Sequence, residues 1–227
     1  MNTDDPTINR RIEELHHLLP GKTALLVIDM QHGFLDEGAS LEVAAGRAIV
    51  PNVRRLVEAF RDAGAPVVFT EFVYAENVPC LRGDPFGVEH LPAPEGAETG
   101  LGKPSSNCLI GPNAPEGVES ADTIDALAPL PGELLVRGHA YDKFYGTPLD
   151  LSLRSRGVTH LVATGITTDV CVSGTVISGT TRDYRVTLAT DCVASPFPDL
   201  HEAALKLLAH KFARLKTSEE LIEELNA

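Results

Sequence analysis

Residues 159–172 read THLVATGITTDVCV, an apolar run that breaks at Gly165 and turns through polar residues to Cys171. A continuous apolar run of this kind suits a strand buried on both faces, as in a parallel sheet. Helical spacing follows over roughly 169–182, so the stretch reads as a strand–turn–helix unit. The same grammar recurs on either side. TALLVID (23–29), PVVFTE (66–71), ELLVR (133–137) and RVTLAT (185–190) read as strands, with a short one near Ala213, Arg214 and Leu215. Helical patterns fall over 7–18 (Ile8, Ile12, Leu15), over 53–60, near 119–127, from Thr147-Pro148-Leu149-Asp150, over 199–210 and from Ser218. Pro51 stands where a first helical turn would start, and Gly64 ends that helix. Strands separated by helices imply right-handed crossovers, hence an α/β fold with helices on both faces of a parallel sheet.

The 227 residues are 43% hydrophobic and 22% charged, which suits an ordinary globular protein and one domain over 1–227. Acidic side chains outnumber basic ones by 32 to 19, a formal charge of -13, which argues against nucleic acid or an anionic membrane as a partner. No apolar run approaches the ~20 residues of a membrane span. The N-terminal MNTDDPTINRR has no apolar signal core, so a cytoplasmic location is expected. The cysteines at 80, 108, 171 and 192 form no C-x-x-C pair, so neither a disulfide scaffold nor zinc is expected. Cys80 and Cys108 read as free thiols and Cys192 as a small packed residue. Residues 75–118 are rich in Pro and Gly without periodicity, as in a lid, a substrate loop or an oligomer contact. GLGKPSS (100–106) lacks the spacing of a phosphate loop.

In open parallel sheets, ligands bind beyond the carboxyl ends of the strands. Those ends carry Asp29 with Gln31 and Phe34, Thr70 and Glu71, Gly138 and His139, the 165–172 turn, and Asp191-Cys192. Cys171 falls in the first turn of a helix, where the positive helix end favours a thiolate and free N–H groups can receive an oxyanion. Position alone balances a nucleophile against an inert buried thiol. Asp29 reads as the base of such a nucleophile or as a turn cap. Thr168 and Asp169 read as helix caps, with Thr168 also able to touch substrate. His32 reads as a pocket liner or a solvated side chain, and His16-His17 as an exposed helix end.

ALLVIDMQHGF (24–34), YDKFYGTPLDLSLRSRGVTHLVATGITTDVCV (141–172) and RDYRVTLATDCVAS (182–195) together resemble the isochorismatase-like cysteine hydrolases. The likeness runs from about 22 to 215 and fails to help only in the 75–118 loop. It implies a Rossmann-like three-layer α/β/α fold with a parallel six-stranded sheet, an Asp-Lys-Cys triad, a non-proline cis peptide and a homodimer or homotetramer. By motif, Asp29 matches the acid, Cys171 the nucleophile, Ile166-Thr167 the cis peptide, and the N–H groups of Thr167 and Cys171 the oxyanion hole. Gln31, Phe34, Glu71, Tyr141, Phe144 and Thr168 form the expected substrate-binding set.

The lysine does not carry over. Counting back from Phe144 in the Y-x-x-F-x-G-T motif, its position holds Gly138. An engineered knock-out is the favoured reading. A natural departure, with the cation supplied by Lys143, Arg137 or His139, and a binding protein that has lost catalysis are the others. Lys143 by itself reads as a solvent-facing loop residue. The metal-binding Asp-x-His-x-His of nicotinamidases has no counterpart in TEFVYAEN (70–77), so no metal or other cofactor is expected. True isochorismatases lack the cysteine. What remains is the metal-free branch acting on ureidoacrylate, N-carbamoyl, biuret-type or maleamate-type substrates. Residues 147–157 most resemble the ureidoacrylate group.

Overall fold

The computed structural model describes residues 5–39, 41–73 and 121–227, so the 75–118 loop with Cys80, Cys108 and GLGKPSS lies outside the described residues. Six strands form one sheet: β1 (Thr23–Ile28), β2 (Val67–Phe72), β3 (Leu134–Gly138), β4 (His160–Ile166), β5 (Arg185–Ala194) and β6 (Arg214–Lys216). All pairs are parallel and the order is β3-β2-β1-β4-β5-β6. β1 and β2 are buried along their whole length, which is why their sequences are continuously apolar instead of alternating.

Each face of the sheet has its own core. Val53, Leu56 and Phe60 of α3 (Ala44–Asp62) and Leu221 of α7 (Ser218–Leu225) pack on Leu25, Val27 and Phe69. On the other face, Leu149 and Leu153 of α4 (Leu149–Ser155) and Val176 of α5 (Ser173–Thr181) meet Ala24, Leu26 and Ile28. Leu205 of α6 (Pro198–Leu207) packs against this second cluster. The result is the three-layer Rossmann-like arrangement. Strand order reverses between β1 and β4, and at such a switch point the two outgoing loops diverge and leave a crevice.

Three elements differ from the sequence expectation. α3 starts at Ala44 and carries Pro51 in its interior. Pro51 is exposed, so the carbonyl one turn before it, which loses its helical donor, faces water. The helix expected near 119–127 is a 3-10 turn, Asp125–Leu127, preceded by an antiparallel bridge between Gln31 and Thr123. β5 is longer than expected because it bulges. Ala163 pairs with Leu188 but Gly165 with Val193. The bulge turns Asp191 to the start of α7, where Ser218 donates to it from both N and Oγ at 2.7 Å.

α1 (Pro6–His16) is capped by Asp5, whose carboxylate accepts from Thr7 N at 2.8 Å. His16 does not end up exposed: it is buried. His16 is the buried residue of α1 while Ile8 near its start is exposed, so the helix docks through its C-terminal half. His16 Nδ1 donates to Ile12 O at 2.9 Å, and His160 Nε2 to Leu15 O at 3.0 Å. Arg214, held by Glu224 and Glu13, lies beside them with Arg185. Burial first, then these arginines, holds both imidazoles below the ordinary 6.5 against the opposing pull of the carbonyls. Below that value the unfolded chain takes up protons that the folded chain refuses. Stability is therefore expected to fall as pH drops through 6.5, levelling off once the folded-state values are passed. Hydrogen exchange should show α1 less protected at about pH 5.5 than at about pH 7.5; equal protection would contradict this. Among the described residues no helix is long and apolar enough to cross a membrane.

Candidate active site

The β1 end is a sharp turn. Asp29 follows the last strand residue with φ at +53°, a left-handed conformation that costs a non-glycine residue about 1–3 kcal/mol. Asp29 N donates to Thr70 O at 3.1 Å, Gln31 N to Asp29 O at 2.9 Å, and Thr70 Oγ1 to Asp29 Oδ1 at 2.8 Å. The carboxylate is wholly buried, with 0% exposure. Lys143 Nζ stands 2.7 Å from its other oxygen.

That contact corrects the reading of Lys143 as solvent-facing: it is 2% exposed. Its chain passes over the Phe72 ring, with Nζ 5.2 Å from the centroid, and Nζ also donates to Ala140 O at 3.1 Å. The turn carrying it is fixed at both ends. Lys143 N donates to Thr175 Oγ1 at 3.2 Å, and Thr147 Oγ1 donates to Lys143 O at 2.6 Å. Gly138 enters here. A Cβ at Gly138 would sit 3.2 Å from Thr147 Cγ2, so the glycine leaves room for the threonine that holds the lysine turn. Of the other two cations considered, Arg137 is occupied by Glu71 at 2.7 Å and Asp122 at 2.9 Å, and His139 also has interactions of its own.

β4 supplies the third group. Gly165 has φ at +109°, and a Cβ there would lie 1.9 Å from Ile28 O, so β1 and β4 approach more closely than any other residue permits. The Ile166-Thr167 peptide is cis. A π-turn, Thr168–Val172, then leads into α5 and carries Cys171. Cys171 is buried, and Lys143, Asp29 and the Thr167 N–H all lie close enough to act on its thiol. Burial pushes the Cys171 thiol far up, Lys143 pulls it back, and Asp29 raises it again. Burial is the largest of these influences and holds the thiol above its ordinary value, against the thiolate that a helix start alone suggests. A thiol held up in this way needs a nearby base, and Asp29 is the buried carboxylate that acts on it.

The remaining expected residues divide. Gln31 Nε2 donates to Phe72 O at 3.0 Å and Ala121 O at 2.7 Å, and its Oε1 accepts from Phe72 N at 2.8 Å. Its amide is committed to backbone, so it pins neighbouring segments instead of offering itself to a substrate. Glu71 behaves alike: Oε1 takes Thr123 N and Oγ1 at 2.8 and 2.9 Å, and Oε2 takes Arg137. Phe144 is a core residue stacked on Tyr184 at 5.8 Å, and Phe34 packs against the α3-side cluster. Tyr141 is 39% exposed and stacks on Phe72 at 5.9 Å, next to Lys143. Thr168 is fully buried and caps nothing; its hydroxyl meets His201 Nδ1 at 2.9 Å. Sequence reading missed His201 altogether, since an isolated histidine on an amphipathic helix gives no signal. His32 pairs with Asp36 at 3.0 Å at the surface. Cys192 is buried in the α3-side core. Among the described residues no cluster of three or more metal-ligating side chains occurs.

Comparison with known proteins agrees with this architecture. The chain is 33% identical over 196 residues to the ureidoacrylate amidohydrolase RutB of Methylobacterium radiotolerans, covering 82% of this chain and 72% of the relative. It is 30% identical over 190 residues to RutB of an Enterobacter species, covering 82% and 80%. The solved N-carbamoylsarcosine amidase from Thermoplasma acidophilum superposes with a TM-score of 0.67 at 26% identity, covering 87% of this chain and 97% of that one. The Isochorismatase domain family model matches residues 23–220, and the chain belongs to that family.

Proposed function

We propose that this chain is a cysteine hydrolase that cleaves a small ureido or amide C–N bond, with Asp29, Lys143 and Cys171 as its working groups. The observation that carries this is the buried Lys143–Asp29 pair, 2.7 Å apart, with the buried Cys171 thiol close enough to feel both charges. Cys171 Sγ attacks the substrate carbonyl carbon as its proton passes to Asp29. The oxygen that gains charge is received by the Thr167 and Cys171 N–H groups. The C–N bond breaks as Asp29 returns the proton to the leaving nitrogen, leaving a carbamoyl or acyl thioester on Cys171. Water then gives a proton to Asp29 and adds to the carbonyl. The C–S bond breaks, and the thiol regains its proton. The Lys143 ammonium stays charged throughout and offsets the anions on either side of it. Gly138 is a natural residue in this account, and the lysine comes from the following turn. A ureidoacrylate-like or N-carbamoyl substrate follows from the named activities of the relatives at 33%, 30% and 26% identity.

Cys171→Ala is expected to lower turnover of 3-ureidoacrylate by about four orders of magnitude or more, with an unchanged circular dichroism spectrum. An alanine variant that hydrolyses it at the parent rate removes covalent catalysis. We further propose that the reaction needs no metal, because 70–77 supplies no histidine pair. Dialysis against EDTA should leave kcat as it was; loss restored by zinc, iron or manganese would overturn this. Assembly into a homodimer or homotetramer belongs to the same proposal. Phe197, Leu200 and Leu207 are exposed apolar side chains, and light scattering giving a monomer mass would remove that part.

A further inference from the structure

The turn that carries Cys171 lacks the usual means of holding its own start. Its N-cap, Thr167, makes no side-chain cap bond. As a π-turn it closes wider than an α-helix, with Val172 N reaching back to Thr167 O at 3.1 Å. Thr167 stands at the start of this turn and Cys171 within it, so a small rotation of the turn would misdirect both the Thr167 N–H and the sulfur. Two bonds to Thr168 hold it from outside. Ser173 Oγ donates to Thr168 O at 2.6 Å, and the Thr168 hydroxyl meets His201 Nδ1 at 2.9 Å. The first comes from the first residue of α5, directly after the turn. The second reaches across to α6, in whose first turn His201 N donates to Phe197 O at 2.9 Å. With the histidine in place Thr168 has 0% exposure, and this imidazole is the described partner of its hydroxyl.

We infer that His201 is a positioning residue of the hydrolytic centre: by gripping the Thr168 hydroxyl it fixes the turn that aims the Thr167 N–H and the Cys171 sulfur. This rests on the cysteine-hydrolase reading. His201 touches neither the sulfur nor a substrate in this role. It acts through one buried hydroxyl, and misplacement by about 1 Å in such a site can cost up to a hundredfold in rate.

The test uses the full chain with 3-ureidoacrylate as substrate and iodoacetamide as a substrate-independent probe of Cys171. His201→Ala is expected to lower kcat about tenfold to a hundredfold with little change in KM. His201→Asn, which can present a polar atom near the place of Nδ1, should recover most of the loss. Thr168→Val should reproduce it, and the double variant should be no worse than either single one. Alkylation of Cys171, read on its peptide by mass spectrometry, should slow in His201→Ala because the sulfur loses an aligned N–H donor. A merely structural role would loosen the site, and a buried thiol would then react faster. Parental kcat in His201→Ala, faster alkylation, or additive losses in the double variant would overturn the inference. Should Cys171→Ala remain active, the hydrolase reading fails as well; should it be dead while His201→Ala is normal, only the role of His201 falls.

Discussion

Lys143→Ala is expected to lower kcat by about a hundredfold to a thousandfold, the usual cost of removing one preorganised electrostatic partner from a water-excluded site. The loss follows from the 2.7 Å contact with a carboxylate that has 0% exposure. Without the ammonium, Asp29 is left as a buried charge whose one described side-chain hydrogen bond comes from the Thr70 hydroxyl. Breaking one partner of a buried pair costs about 3–5 kcal/mol, so thermal stability should fall too. Lys143→Arg should keep part of the stability but little activity, because the planar guanidinium cannot sit where a compact ammonium sat. The companion variant is Gly138→Lys in the parent chain. It should bring no gain, since the cation is already in place and a Cβ there presses on Thr147 at 3.2 Å. Steady-state kinetics with 3-ureidoacrylate and thermal melts of the three variants check this. A steep gain from Gly138→Lys with an indifferent Lys143→Ala would restore the reading of Gly138 as a knock-out.

The second large effect is on folding. Gly165→Ala should remove much of the stability, because two penalties coincide at one atom. A φ of +109° is strained for alanine, and the new Cβ would meet Ile28 O at 1.9 Å. That neighbour is backbone at the end of β1, in register with Gly165 itself, so no flexible side chain can yield. The summed cost should exceed about 4 kcal/mol, a large share of the 5–15 kcal/mol that holds a typical domain. Denaturant titration would show a strongly lowered midpoint, or expression would give only insoluble chain. A midpoint near the parent's would mean that β1 and β4 can separate without loss.

The fold was legible because its strands are buried on both faces. TALLVI and its counterparts are apolar without alternation, and only a parallel sheet covered on both sides asks for that. The boundaries were less legible where tertiary bonds override local signals. Pro51 reads as a helix start, yet α3 already has its first turn at Ala44. The β5 bulge is set by Ser218 binding Asp191, a contact between residues far apart in sequence.

The candidate site was legible only in part. Asp29 and Cys171 stand at strand ends beside the switch point, where chemistry is expected. Lys143 was not legible, because a lysine in a polar loop looks solvated until the loop folds over Phe72 and carries it inward. Gln31 and Glu71 stand at the right strand ends too. Their hydrogen-bonding capacity is taken up by backbone groups, Thr123 and Arg137, which no spacing rule could show.

The proposed covalent chemistry at Cys171 can be tested directly. The parent enzyme, mixed with 3-ureidoacrylate and quenched in acid from milliseconds onward, would be digested and its Cys171 peptide weighed. The account predicts a carbamoyl or acyl increment on that peptide early in turnover, absent in Cys171→Ala, with substrate consumption lost in the same variant. Substrate consumption with no added mass on Cys171 at any time, and undiminished in Cys171→Ala, would contradict it.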